Sequence, residues 1–206
     1  MRLLSTLAGL LATALVTPAA HAIDFAQADW AGDARSVVVV KRLGEPESGG
    51  APLPLFSASY VRWKTGEAAA MGYVLRRELK SGPHQVIGGA GVGVNHLVSG
   101  ERPNRKEDFA ASARLQLELQ GPAPAGRYYL LGQASSFRRS ALWVTQYSLD
   151  GTPLAFEGSL YHEQGYRAGS VGIRVALGQS GWSARLGTTR SNGDQRLYVG
   201  VSYNGF

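Results

Sequence analysis

The chain has 206 residues, 44% of them hydrophobic, and 21 Lys and Arg against 15 Asp and Glu give it a net charge of +6. That size reads as one domain, and the complete lack of cysteine excludes disulfides and a cysteine-linked lipid anchor. No stretch holds the roughly 20 apolar residues of a membrane-spanning helix, so a helical membrane protein is excluded. The near-neutral mean hydropathy decides nothing, because a barrel hides apolar residues in alternation.

In chain order, the first expectation is a cleaved export signal over residues 1–22. Arg2 supplies a positive start, residues 3–16 a short apolar core interrupted by Gly9 and Thr13, and Ala20-His21-Ala22 a small-x-small cleavage site. The mature chain, 23–206, then reads as a single outer-membrane β-barrel. Segment 23–30 is a weak strand candidate and 34–43, around Val37 to Val40, a stronger one. Strands follow at 55–65, 68–80, 84–98, 109–119, 127–137, 141–149, 153–162, 169–177, 181–190 and 195–203. Turn chemistry punctuates them. Asp150-Gly151 and Asn192-Gly193 are strong hairpin signals because both pairs accept positive φ.

The last ten segments alternate clearly. Single-chain barrels have an even strand count with both termini periplasmic, so an eleventh strand at 34–43 demands a twelfth, and 23–30 is the candidate. The expectation is therefore an all-β, antiparallel up-and-down transmembrane barrel of twelve strands, with ten as the alternative. Counting back from the C-terminus places the short Gly- and Pro-rich connections 80–83, 121–126, 149–153 and 178–181 on the periplasmic side. It places 99–108, the longest connection among the ten clear strands, outside. The connection 44–54 is longer still and would be periplasmic, against the usual habit.

The alternation also assigns faces. Along 109–119, Phe109, Ala111, Ala113, Leu115, Leu117 and Leu119 share one side, while Ala110, Ser112, Arg114, Gln116 and Glu118 share the other. The same reading turns Glu157, Arg174 and Arg185 inward, because Arg174 is intolerable against lipid. Arg114, Glu118, Glu157, Arg174 and Arg185 are thus expected to form a network of paired charges in the lumen. Gly89, Gly91 and Gly93 leave a bare strip on the inner wall, across which large lumen side chains are expected to lie, the alternative being a wider passage. Trp63, Trp143, Trp182, Tyr73, Tyr128 or Tyr129, Tyr147 and Tyr203 fall near strand ends, where aromatic rings favour the bilayer interface. A secreted soluble β-sandwich or a lipocalin-like binding protein satisfies the same alternation.

The ending Tyr198-Val199-Gly200-Val201-Ser202-Tyr203-Asn204-Gly205-Phe206 resembles the C-terminal assembly signature of Gram-negative outer-membrane proteins, an alternating final strand closed by an aromatic. The resemblance implies that Tyr203 and Phe206 form the signal read by the barrel assembly machinery. Gly205 shifts Phe206 out of phase with Tyr203, which a terminal bulge would reconcile.

Function is expected to be non-enzymatic: a narrow pore, a translocation element for an envelope polysaccharide, or a structural barrel. An outer-membrane enzyme modifying lipid A or phospholipid is the alternative. The histidines offer it little. Ser159 and His162 face opposite ways on one strand, His96 sits beside Asn95 at an outer strand end, and His84 follows Pro83 at a turn. Glu118 and Glu157 are read as salt-bridge partners of nearby arginines rather than an acid–base pair. The Gly-rich run 88–93 has no following helix, so a nucleotide site fails, and no catalytic residue, metal site or cofactor is expected. Arg102, Arg105, Lys106, Arg138 and Arg139, with Arg167 and Arg190, collect in the outer connections. There they are candidate contacts for lipopolysaccharide phosphates, although a solvated loop surface explains them equally well. The compartment excludes nucleic acid.

Overall fold

The period-two segments all become strands, and the strands close on themselves. The structure, a computed structural model, describes residues 23–44, 51–80, 82–100 and 103–205. The export-signal segment, Arg102 and Phe206 lie outside the described residues. Twelve strands run in order: β1 Phe25–Ala31, β2 Ala34–Arg42, β3 Leu53–Trp63, β4 Gly66–Lys80, β5 Gln85–Ser99, β6 Lys106–Ala123, β7 Gly126–Ser135, β8 Ser140–Leu149, β9 Leu154–Glu163, β10 Tyr166–Ala176, β11 Trp182–Ser191 and β12 Asp194–Asn204. Each pairs antiparallel with its sequence neighbours, and β1 closes the barrel against β12.

The weak first segment is what makes the count twelve. Phe25 to Trp30 face Asn204 to Val199 on one side and Val40 to Arg35 on the other. The closing ladder continues one residue further, where the Gly205 N–H donates to the Asp24 carbonyl at 2.8 Å. Without β1, the outer edges of β2 and β12 would each present a row of unpaired backbone groups, which a bilayer cannot satisfy. At the opposite end, Asn192 (φ 46) and Gly193 (φ 103) make the tight β11–β12 turn.

Three connections differ from the sequence reading. Lys106 is the first residue of β6 rather than a loop residue, because Lys106 to Asp108 extend the ladder against Ser99 to Leu97. At the other end β6 runs on through Gly121, Pro122 and Ala123, opposite Tyr128, Arg127 and Gly126. Phe137 leaves β7 for a 3-10 turn, Phe137–Arg139, in which Arg138 and Arg139 take positive φ of 50 and 48.

The barrel is apolar outside. Phe109 is 70% exposed, Leu115 63%, Leu160 65%, Val171 65% and Leu197 71%, all on the outward parity of their strands. A continuous apolar exterior on this scale is the surface of a membrane-spanning barrel, not of a dissolved protein. Among the described residues no helix is long and apolar enough to cross a membrane. Rings gather at the strand ends. Trp182 packs on Tyr203 with centroids 5.3 Å apart, and Tyr128 turns outward to stack on His84, whereas Tyr129 turns into the lumen. Trp63 departs from the girdle pattern: it shares the parity of the inward-facing Ser57 and Ser59, and its ring lies over Gly66.

Candidate functional site in the barrel lumen

Inward parity brings ionic side chains from distant strands into two clusters. In the first, Arg185 of β11 reaches in two directions. Its Nε donates to Glu157 of β9 at 2.9 and 3.2 Å, and its Nη2 lies 2.7 Å from the same carboxylate. Its Nη1 donates to Asp29 of β1. The Tyr198 hydroxyl of β12 donates to Glu157 at 2.9 Å, while its ring lies under the Arg185 guanidinium at 5.5 Å. Gln27 completes the cluster by donating to Asp29 at 2.7 Å.

The second cluster lies on the opposite wall. Arg76 of β4 and Glu118 of β6 form an ion pair at 2.8 Å, both nearly buried. Glu118 also accepts from Gln116 at 2.8 Å and from the Tyr129 hydroxyl at 3.1 Å. Further along β6, Arg114 donates to Asn95 at 3.3 Å, and Asn95 donates to Ser112 at 2.8 Å. The Nε atoms of Arg76 and Arg114 are buried without a hydrogen-bond partner among the described residues. Arg114 and Arg174 have no carboxylate within ion-pair distance among the described residues. Arg174 sits directly opposite Arg185 in the β10–β11 ladder.

These side chains lie along the wall rather than across it, and glycine is the reason. The Arg76–Glu118 bridge passes over β5, where a Cβ on Gly89 would press against Val74 and Arg76. Arg114 covers Gly72 and Gly93, Tyr198 covers Gly172 and Gly187, and Asp29 covers Gly200. A Cβ at any of these positions would occupy the space the long side chain fills. The glycine strip read from the sequence is thus a bed for lumen side chains.

The five lumen residues singled out from sequence therefore separate: Glu157, Arg174 and Arg185 lie on one wall, Arg114 and Glu118 on the other. Asp29 and Arg76 carry no expectation from the sequence, while Tyr129 is read there only as an alternative girdle ring and Asn95 only as the neighbour of His96. Asp29 carried a weak signal, an acid at alternating spacing from Gln27 in a short segment with apolar residues on both parities. Arg76 stands in Arg76-Arg77-Glu78-Leu79-Lys80, where charge on both parities hides which face is inner.

At the end of the barrel away from the described chain ends, Arg105 is bound to Glu67 at 3.3 Å and Arg138 lies 3.8 Å from Glu163, while Lys106 and Arg139 are exposed. Tyr203 is fixed against Trp182 beside the closing ladder. Of the histidines, His96 contacts Glu107 at 2.7 Å on the outward wall and His84 contacts Tyr128 at 3.0 Å. Ser159 spends its hydroxyl on Ser170 at 2.8 Å, on the inward parity opposite to His162. No cluster of three or more His, Asp or Glu suited to a metal ion exists among the described residues.

No family model and no curated protein matches the sequence. Among solved structures, the KdgM porin in complex with disordered oligogalacturonate aligns with 87% of this chain and 97% of its own, at TM-score 0.52 and 11% identity. A second KdgM porin structure aligns over the same shares at TM-score 0.52 and 10% identity. The outer membrane protein Omp33 of Acinetobacter baumannii aligns with 88% of this chain and 98% of its own, at TM-score 0.49 and 9% identity. What this chain has in common with the KdgM structures is the fold: a closed antiparallel barrel with an apolar exterior and a polar interior, the architecture of outer-membrane porins.

Proposed function

We propose that this protein is a non-enzymatic outer-membrane barrel acting as a narrow, charge-lined channel for a small solute or a thin envelope polymer. The observation that carries the reading is the pair of ionic clusters held flat on a glycine bed inside a twelve-stranded apolar cylinder. Ion pairs buried there have no use in an inert core, where apolar side chains of similar volume serve stability as well or better. They do make a lumen wettable. The porin fold of the structural neighbours supports the same direction. The terminal Tyr203 and Phe206 are proposed as the signal for assembly into the membrane, and outer-membrane lipid and lipopolysaccharide as the surroundings.

The enzyme alternative lacks the constellation it needs: Ser159 and His162 face opposite sides of β9, His96 contacts Glu107 and His84 contacts Tyr128. Planar-bilayer recording tests the channel reading. The expected result is weak conductance from the wild type and a clear increase when Glu157 and Arg185 are replaced together by alanine. Large steady channels from the wild type, or no change on removing the pair, would overturn a narrow lumen set by these residues.

A further inference from the structure

The extracellular rim of the barrel is electrostatically lopsided, and the unbalanced side is on the outer wall. On β3 to β6 the outward-facing charges include acids: Glu67 accepts from Tyr60 at 2.8 Å and from Arg105 at 3.3 Å and stands opposite Arg62 in the β3–β4 ladder, and His96 is bound to Glu107. On β9 to β11 no carboxylate has the outward parity. Arg167 lies directly opposite His162 in the β9–β10 ladder, and Arg190 lies opposite Gly169, one outward step away on the next strand. All three share the parity of the lipid-facing Leu160, Val171 and Leu186, and all three are exposed. The acids nearby turn to the other face. Glu163 accepts from Tyr161 at 2.8 Å and lies near Arg138, while Asp194 sits 4.0 Å from Arg196.

The main chain at Arg167 is tied to the neighbouring turn. The Arg167 N–H donates to the Asn192 side-chain oxygen at 3.1 Å and the Asn192 N–H donates back to the Arg167 carbonyl at 3.1 Å, tying the β11–β12 turn to the start of β10. Directly below, toward the bilayer centre, lie Leu160, Val171 and Leu197, each at least 65% exposed. Two guanidinium forks and an imidazole thus stand above an apolar strip. That order of charge then hydrocarbon complements an amphiphile with an anionic headgroup and acyl chains.

We infer that His162, Arg167 and Arg190 form a binding site for a phosphorylated outer-leaflet lipid, with phosphate on the two arginines and acyl chains along Leu160, Val171 and Leu197. The inference rests on the outer-membrane reading above, since it needs this rim to face the outer leaflet. It moves lipid contact away from Arg105 and Arg138, whose charges are already answered by carboxylates.

Native mass spectrometry of the full-length purified barrel in detergent tests it, with bisphosphorylated lipid A, dephosphorylated lipid A and inorganic phosphate as separate probes. The expected result is retention of bisphosphorylated lipid A by the wild type, at least a tenfold loss of affinity in the variant with Arg167→Gln and Arg190→Gln, and no loss in Arg105→Gln. Equal retention of dephosphorylated lipid A, displacement by inorganic phosphate at comparable concentration, or equal weakening by Arg105→Gln would overturn the site. Heat-modifiable migration of each variant on unboiled gels shows that the barrel has formed. A folded, membrane-inserted double variant with undiminished lipid binding defeats this inference alone, whereas a wild-type chain recovered soluble and without heat-modifiability defeats the barrel reading beneath it.

Discussion

The two lumen walls solve the same problem differently. On the β9 to β1 side, one guanidinium, Arg185, is shared between two carboxylates and lies over the Tyr198 ring, while Arg174, beyond ion-pair distance of either acid, brings that wall to two cations and two acids. On the β4 to β7 side, Arg76 has Glu118, but Arg114 has only the Asn95 amide, and both arginines leave an Nε without a bond. The first wall is a compensated hub whose members depend on one another. The second carries a surplus cation held in place mainly by shape, with Gly72 and Gly93 beneath it.

Removing the hub is the severest way to break this contrast. Arg185→Leu strands Asp29 and Glu157 as buried, unpaired acids, and is expected to destabilise the barrel by about 3–5 kcal/mol, the usual loss on removing one partner of a buried pair. Urea unfolding in detergent micelles measures it. A loss below about 1 kcal/mol would mean that lumen water already solvates both acids and that Arg185 is not what holds them.

Gly172→Ala probes the bed under that hub. The new Cβ would collide with the Tyr198 hydroxyl and with the Leu186 carbonyl. The expected cost is about 1–3 kcal/mol, typical of overfilling a close-packed site, and the same unfolding assay reads it. Neutral behaviour would show that Tyr198 swings freely into the lumen.

The smallest effect is expected on the other wall. Arg114→Met removes a charge with no acidic partner and an unbonded Nε, so stability should move by less than about 1 kcal/mol in either direction, because no opposite charge is left stranded. A loss matching that of Arg185→Leu would erase the distinction between the walls.

Much of this was legible before any fold was known, and the reason is geometric. In a strand, successive side chains point to opposite faces, so the long alternations around Leu115 and Ile173 announced both their structure and their outward side. Arg114, Glu118, Glu157, Arg174 and Arg185 could be turned inward on that ground alone. Asp29 was harder, because the seven-residue strand Phe25–Ala31 is short and carries apolar side chains on both parities, which gives a weak alternation. Arg76 was hidden by charged neighbours at the end of β4, where the chain leaves the bilayer and both parities become polar. Loop limits blurred for a related reason: Lys106 and Glu107 look like loop residues, yet β5 extends far enough to pair them.

The sequence by itself determined the strand class, the direction of each clear strand's faces and the turns, because these depend on neighbours two to four residues apart. Which charges meet was decided only by closure of the sheet. Asp29 and Arg185 are 156 positions apart, and they come within reach because β1 pairs with β12 and Gly200 between them leaves room for the Asp29 side chain.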